Sequence, residues 1–312
     1  MNKLILSSIF LIECLVIVFL TFRIFNKKLV LGEAVVAPIK KESVVLNKKS
    51  KYKYYYEPKA NTVKQINADW GPYNGKYTIN DDTLVERYNY ELKKPEKTYR
   101  IITLGDSYTF GLYVDTPDNW PEQLEDLFKN EMHCQGYSKF EVINLGVQGY
   151  DIQWEVERFL LKGIKYNPDL VLWLIKDDDV IQVNETMFEK MSHYPRGVRD
   201  ENWFRGMEET FNELGEKKTR EIQQRAISDY MDFYKGKTIF ITFPNKGNFP
   251  YDIIGDILDE NKERTDFMYL EDIYKDNQDY YANDFHPTPK GHVVIAQNIF
   301  DYLTRTKIIP CD

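Results

Sequence analysis

The sequence is poor in several residue types, and each shortage narrows the functions it can serve. Lysine and arginine total 41 against 49 acidic residues, a formal net charge of −8, whereas nonspecific nucleic-acid binding needs a basic surface. No internal repeat is present, so a solenoid is not indicated. Histidine and cysteine number four and three in 312 residues, which leaves few candidates for a catalytic imidazole or a disulfide. Aromatic residues are plentiful, with 23 Tyr and 18 Phe, and this excludes the disordered class.

The first 25 residues differ in composition from the rest of the chain. From Leu4 to Phe22 they are almost all apolar, and a run of this length suffices for a helix across a bilayer. No small-residue cleavage pattern follows closely, which favours a single-pass membrane anchor at residues 1–25 over a cleaved signal peptide. Arg23, Lys27 and Lys28 follow the run and, by the positive-inside rule, favour a cytoplasmic position for the domain behind it.

Behind the anchor we expect a linker and lead-in segment at residues 26–75 and one domain at residues 76–312. The stretch from Asn26 to Lys59 is rich in lysine and lacks an apolar period, as is typical of a linker. Beyond it, short apolar runs alternate with amphipathic helical patterns. Five runs are predicted as strands, at residues 100–104, 141–145, 170–175, 238–242 and 267–270.

This alternation predicts a doubly wound α/β fold of three layers, with a parallel sheet in the flavodoxin-like order 2-1-3-4-5. The functional side chains of such folds gather at the carboxyl ends of the strands. The last helix is well marked, because Thr288 can cap it and Pro289 suits its first turn. An insertion at 184–235, helical over about 206–234, is expected to shape a substrate cleft or a partner surface.

Ser107 is a candidate nucleophile. It ends the tripeptide Gly105-Asp106-Ser107, which follows the first predicted strand of the sheet. A serine at a strand-to-helix turn presents its hydroxyl at the carboxyl edge of the sheet, where backbone N–H groups can receive an oxyanion. The tripeptide is also a common turn and cap sequence, so the interpretation needs a base elsewhere in the chain.

His286 is the candidate base. A serine hydroxyl is a poor nucleophile until a base takes its proton, and a histidine oriented by a carboxylate is the usual solution. Only His286 lies beside a carboxylate in a proline-containing loop next to the last helix, with Asp284 two residues before it and Pro287 one after. The other histidines are expected to pack within the last helix (His292) or to be solvated (His133 and His193).

With these elements in order, the chain resembles the SGNH hydrolase (GDSL esterase/lipase) superfamily from about residue 77 to residue 303. The matching blocks are residues 105–107, residues 144–149, the end of the third strand and residues 284–287. The resemblance implies that Ser107 is the nucleophile, that His286 is the general base and acid, and that the backbone N–H groups of Ser107 and Gly149 bind the oxyanion. It implies no metal ion and no organic cofactor.

One departure from the pattern of that superfamily concerns the oxyanion site. Its third block usually supplies an asparagine whose amide donates to the oxyanion, and this chain has Asp178 in that place, within Lys176-Asp177-Asp178-Asp179. An ionised carboxylate would repel the oxyanion. Clustered carboxylates raise one another's pKa, and a protonated Asp178 could still donate. Lys176 could instead compensate with its positive charge.

A second departure concerns the acid that orients the histidine. Many relatives place it three residues before the histidine, where this chain has Asn283. Asp284, two residues before, is therefore favoured for this role. The alternative is a serine–histidine dyad oriented by Asn283 or by a carbonyl group.

The cysteines bear on the compartment. Cys134 follows the helix after the first strand, and Cys311 follows the last helix. In a 2-1-3-4-5 sheet these helices lie side by side and end together, so the two cysteines can meet as a disulfide, with two free thiols as the alternative. A disulfide favours a domain outside the cytoplasm, against the charges that flank the anchor.

The expected function is that of a membrane-anchored serine esterase that removes an acyl group, acetyl first of all, through an acyl-serine intermediate. The expected partners are an acylated glycan or small ester and, through the N-terminal helix, the membrane; the oligomeric state is left open. An acyltransferase that uses the same residues with a sugar hydroxyl as acceptor is one alternative. A non-catalytic glycan-binding or assembly protein, suggested by Asp178, is the alternative of another class.

Overall fold

The computed structural model of the chain describes residues 44–67, 74–195, 199–243, 249–270, 278–282 and 285–311. The predicted anchor at residues 1–25 lies outside these ranges, as do Asn283 and Asp284. Within the described ranges, no helix is both long and apolar enough to cross a membrane.

The lead-in segment forms two antiparallel pairs of short strands. Val44–Leu46 (β1) pairs with Tyr56–Pro58 (β2), and Thr62–Asn67 (β3) pairs with Asn74–Ile79 (β4). The stretch expected as linker and lead-in segment, residues 26–75, therefore contains regular strands in its described part.

Tyrosines fasten this segment to the domain. Tyr55 and Tyr56 are buried, and the ring of each meets the ring of Trp154 edge-on, with centroids 5.9 and 5.4 Å apart. Lys51 and Lys53, just before them, conceal this apolar surface in the sequence pattern. The segment from residue 44 onward therefore packs on the domain because its aromatic side chains are buried.

A parallel sheet of five strands follows. The strands are Thr98–Leu104 (β5), Lys139–Asn144 (β6), Leu170–Leu174 (β7), Lys237–Thr242 (β8) and Thr265–Tyr269 (β9). They pair in the order β6-β5-β7-β8-β9, which confirms the predicted 2-1-3-4-5 arrangement. The central strand β7 is buried along its whole length, as its unbroken apolar sequence requires of a strand covered on both faces.

Helices cover both faces of this sheet. In chain order they are Ser107–Phe110 (α1), Trp120–Glu131 (α2), Ile152–Leu161 (α3), Asp177–Ile181 (α4), Asn184–Met191 (α5), Arg199–Phe233 (α6), Phe249–Glu260 (α7) and Pro289–Thr306 (α8). Single 3₁₀ turns occupy Thr116–Asp118, Gly163–Tyr166 and Gln278–Tyr280.

Two hydrophobic clusters fill the space between the layers. Alternate residues of β5 enter different clusters: Ile102 packs with Trp173 and Tyr230, and Ile101 packs with Trp120 and Leu303. Because neighbouring side chains of a strand point to opposite faces, the clusters lie on the two sides of the sheet. The predicted three-layer architecture is confirmed.

The last helix begins where its sequence signals predict. The Thr288 hydroxyl accepts the N–H of Gly291, and Pro289 stands in the first turn. His292 is fully buried, and its Nδ1 accepts the backbone N–H of Trp120 at 3.2 Å. Burial lowers the pKa of His292 to about 3, so this histidine is neutral and structural, as expected.

The insertion at 184–235 forms α5 and α6. The second of these begins earlier than the pattern predicts, at Arg199, and is interrupted at Gly215, whose φ is 72°. Trp203 near its start is buried, and its ring meets that of Phe188 edge-on at 5.5 Å. Phe188 also packs on Trp154 of α3, with ring centroids 5.2 Å apart, so the insertion contacts the rest of the domain.

Cys134 and Cys311 form a disulfide that joins the ends of α2 and α8. Their Cα atoms lie 4.4 Å apart across 177 positions of the chain. The two helices pack side by side in one hydrophobic cluster, where Phe128 and Phe300 are in ring contact. The expected meeting of the two cysteines is confirmed.

Candidate active site

Ser107 stands at the turn between β5 and α1. Gly105 opens the turn with a φ of 148°, and a Cβ at this position would lie 3.0 Å from the carbonyl oxygen of Leu174 on the neighbouring strand. The Asp106 carboxylate then caps α1 by accepting the N–H of Tyr108 through Oδ1 at 2.9 Å. As the first residue of the helix, Ser107 has a backbone N–H without an intrahelical acceptor.

His286 lies in the loop before α8. Its Nε2 lies 2.8 Å from the Oγ of Ser107, a distance at which the imidazole can accept the hydroxyl proton. The imidazole contacts two tyrosine rings, with centroids 5.3 Å from that of Tyr108 and 5.5 Å from that of Tyr113. The structure thus brings together the two residues that the sequence places at opposite ends of the domain.

The loop that carries this histidine is held by a tyrosine. The hydroxyl of Tyr108 donates to the carbonyl oxygen of Phe285 at 2.5 Å, and Phe285 itself has a positive φ of 69°. A bulky residue adopts that conformation only where its surroundings enforce it. Asp284 lies outside the described residues, so its orienting role stays a prediction.

Gly149 lies after β6, beside the same sheet edge. Its φ is 76°, and a Cβ there would lie 3.0 Å from the Trp203 ring and 3.1 Å from the Tyr56 hydroxyl. That hydroxyl donates to the carbonyl of Gln148 at 2.6 Å, and the Asn184 amide donates to the carbonyl of Gly149 at 2.7 Å. Glycine is required here by backbone conformation, as expected of a turn glycine after this strand, and by packing of the lead-in and the insertion, of which the sequence gives no sign.

Lys176 and Asp178 follow β7 and lie at the same carboxyl edge of the sheet. The Lys176 ammonium lies 2.7 Å from Oδ1 of Asp178 and 3.1 Å from Oδ2 of Asp106. Burial opposes the charge on Asp178, but the charge and hydrogen bond of Lys176 outweigh burial and hold the pKa of Asp178 below its usual range. Of the two alternatives for Asp178, this contact favours an ionised carboxylate whose charge is offset by Lys176.

Two other buried carboxyl groups of this cluster have raised pKa values. Asp179 accepts the backbone N–H of Lys176 at 2.8 Å, and Glu155 accepts the indole N–H of Trp173 at 2.6 Å. Burial, together with the charge of Asp106, raises the pKa of both Asp179 and Glu155 well above the usual range. Both groups therefore favour the protonated form more than an exposed carboxyl group does.

The ammonium of Lys176 contacts a group of carboxylates whose spacing could also hold a metal ion. Carboxylate oxygens of Asp106, Asp178 and Asp179 lie within 4.8 Å of one another, a spacing that can hold a cation. The Lys176 ammonium contacts the first two of them. The positive charge that these carboxylates bind in the structure is therefore supplied by the chain itself.

Sequence reasoning assigned no site role to three of these residues. Asp106 was part of a motif but was treated as a turn residue, and Tyr108 directly follows the nucleophile, so both could have been singled out by position. Tyr113 reaches His286 through a positive φ of 69°, for which the sequence carries no signal.

The sequence and its fold, a doubly wound sheet with a serine and a histidine at the carboxyl edge, can now be set beside those of known proteins. No family model matches the sequence, and no curated protein matches it either. Solved structures with a similar fold do exist, and several are named as esterases or lipases.

A family 3 carbohydrate esterase of Clostridium thermocellum is 15% identical with a TM-score of 0.45, over 69% of this chain and 100% of that one. A catalytic mutant of an acetylxylan esterase from Geobacillus stearothermophilus is 15% identical with a TM-score of 0.43, over 67% and 95%. A GDSL-like lipase from Bacteroides thetaiotaomicron is 16% identical with a TM-score of 0.35, over 66% and 88%. At these values no residue role in this chain rests on the likeness.

Proposed function

We propose that this chain is a serine esterase of the SGNH type, with Ser107 as nucleophile and His286 as general base and acid. The observation that carries the proposal is the 2.8 Å contact between Oγ of Ser107 and Nε2 of His286. Ser107 is 7% exposed, in a site where an activated hydroxyl is shielded from bulk water. A non-catalytic binding protein has no need of this contact.

The proposed reaction uses Ser107, His286 and backbone N–H groups at the sheet edge. His286 takes the hydroxyl proton as Oγ of Ser107 attacks the ester carbonyl, and the N–H groups of Ser107 and Gly149 receive the oxyanion. The imidazolium then protonates the leaving alcohol oxygen, which leaves an acyl-serine. Water attacks this ester with His286 again as base, the carboxylic acid departs, and the serine proton is restored. Asp284 orients the imidazole in this scheme.

The substrate is proposed to be an acylated glycan or a similar ester, with acetyl as the acyl group. The anchor predicted at residues 1–25 supports this choice, because it confines the domain to the neighbourhood of the membrane and its associated glycans. We further propose that the domain lies outside the cytoplasm, and the disulfide between Cys134 and Cys311 supports that compartment.

Acetate release tests the proposal. The full-length chain is incubated with an acetylated oligosaccharide, and both free acetate and the acetyl content of the glycan are followed, with Ser107→Ala as the control. An esterase lowers the acetyl content and releases acetate in equal amount, whereas an acyltransferase raises the acetyl content of an added acceptor. Equal acetate release by wild type and Ser107→Ala would refute the assignment of the nucleophile.

A further inference from the structure

We infer that Lys176 is a positioning residue for the nucleophile, acting through Asp106 and Asp178. Its ammonium binds the two carboxylates so that the Ser107 hydroxyl is donated to His286 and the oxyanion does not face uncompensated negative charge. The inference rests on the proposed function and adds a residue that the pattern of the superfamily does not assign.

The Ser107 hydroxyl has two acceptors within reach. One is Nε2 of His286 at 2.8 Å, and the other is Oδ2 of Asp106 at 3.0 Å. A proton directed to the carboxylate does not activate the serine, so the two contacts compete. The Lys176 ammonium lies 3.1 Å from the same Oδ2 atom and engages the lone pairs that would otherwise hold the serine proton.

The same ammonium offsets the residue that replaces the usual asparagine. Asp178 cannot donate to an oxyanion while it is ionised, and its Oδ1 lies 2.7 Å from Nζ of Lys176. The side chains of Lys176 and Asp106 are only 12% and 4% exposed, so water screens that pair weakly, whereas the Asp178 side chain is 44% exposed and is screened more. Loss of the ammonium would leave two carboxylates beside the reacting carbonyl.

Lys176 also contacts the half of the site that carries the histidine. Its Nζ lies 4.2 Å from the centroid of the Tyr108 ring, and the hydroxyl of this tyrosine holds the carbonyl of Phe285. Among the described residues, the charged and titratable groups near His286 are Asp106 and Tyr108 from the nucleophile turn, Tyr113 from the loop after α1, Lys176 and Asp178 from the end of β7, and the buried His292 of α8. The predicted Asp284 belongs to the loop of His286 itself.

The test compares Lys176→Met, Asp178→Asn and the double variant with wild type in the full-length chain. Lys162→Met is the matched control, since that ammonium is 14% exposed and lies 2.7 Å from Asp82, outside the site. The readouts are the rate of Ser107 labelling by a fluorophosphonate and the NMR titration of His286 in a Ser107→Ala background. Thermal unfolding checks each fold, and Lys176→Gln replaces the methionine variant if that variant does not fold.

Lys176→Met is expected to slow labelling about 100-fold, the loss typical of one oxyanion-site group, while Lys162→Met labels at the wild-type rate. Adding Asp178→Asn should restore labelling about tenfold or more, because it removes one of the two uncompensated charges. Wild-type labelling by Lys176→Met, or a folded double variant no faster than the single one, would overturn the inference.

The titration separates this inference from the proposed function, because it needs no activity. Without Lys176 the two carboxylates stabilise the imidazolium, so the titration of His286 should move to higher pH. If wild type itself is not labelled, the esterase proposal fails and the titration alone decides the role of Lys176. An unchanged titration in folded Lys176→Met protein would refute that role.

Discussion

The hydroxyl of Tyr108 donates to the carbonyl of Phe285 at 2.5 Å, and this bond ties the residue after the nucleophile to the residue before the base. The two elements are 177 positions apart in sequence. Ser107 and His286 meet because β5 and the loop before α8 end at the same edge of the sheet. The hydrogen bond of Tyr108 then holds the loop so that the two side chains stay in contact.

Tyr108→Phe tests this tie. The variant keeps the ring beside His286 but loses a hydrogen bond with a net value of about 1 kcal/mol, so we expect fluorophosphonate labelling of Ser107 to slow about fivefold. Tyr166→Phe, which removes a hydroxyl bonded to Asp82 at 2.7 Å away from the site, is the control. Equal rates for the two variants would show that Tyr108 does not position the loop.

Gly149→Ala tests the origin of the glycine after β6. Gly149 has a φ of 76°, and a Cβ at this position would lie 3.0 Å from the Trp203 ring. We therefore expect the alanine variant to lose about 1–3 kcal/mol in the free energy of unfolding and to lose labelling of Ser107. The measurement is urea unfolding beside Gly136→Ala, where a Cβ meets nothing within 4 Å. Equal stability of the two variants would contradict the packing described here.

The disulfide predicts a thiol count and a stability change. Under denaturing conditions, protein made in an oxidising compartment should show one free thiol before reduction, Cys14, and three after it. Replacing both Cys134 and Cys311 by serine should cost about 2–5 kcal/mol in the free energy of unfolding. Three free thiols before reduction would remove the support that the disulfide gives to a location outside the cytoplasm.

Glu125 predicts a pH dependence of stability. It accepts the N–H of Val142 and the hydroxyl of Tyr90, and burial raises the pKa of its carboxyl from 4.5 to about 7. The folded state therefore holds a proton that the unfolded state releases near pH 4.5. The contribution of Glu125 to the free energy of unfolding is full below that pH and is lost as the pH rises to about 7. Asp151, whose burial also raises its pKa to about 7, acts in the same direction.

Glu125→Gln isolates this contribution, because the amide oxygen can still accept both hydrogen bonds. We expect the decrease in the free energy of unfolding between pH 5 and pH 8 to shrink by up to about 3 kcal/mol. Urea unfolding at the two pH values measures it, with exposed Glu131→Gln on the same helix as control. An identical decrease in wild type and Glu125→Gln would contradict a buried, neutral Glu125.

The sheet and the last helix could be predicted from the sequence because their signals are local. Strand β7 is a continuous apolar run, and Thr288 and Pro289 mark the start of α8 within two residues. The alternation of strands and helices predicted a parallel sheet, since parallel strands need crossover helices, and the order of its strands was expected by analogy with flavodoxin-like sheets.

Other features could not be predicted, because they depend on contacts between distant segments. The lysine-rich composition around Tyr56 indicates a linker, yet the ring of Tyr56 finds a partner in Trp154 about a hundred residues later. The ionisation of Asp178 depends on the distance from its carboxylate to Lys176, which sequence spacing does not give. The same holds for the Trp203 ring against Gly149.

Labelling of the purified full-length chain with a fluorophosphonate tests the central claim most directly, beside Ser107→Ala and His286→Ala variants shown to be folded. Activation of the serine by the histidine predicts that wild type is labelled, that Ser107→Ala is not, and that His286→Ala is labelled at least about 100-fold more slowly. No labelling of folded wild type, or equal labelling after loss of His286, would contradict an activated serine at this site.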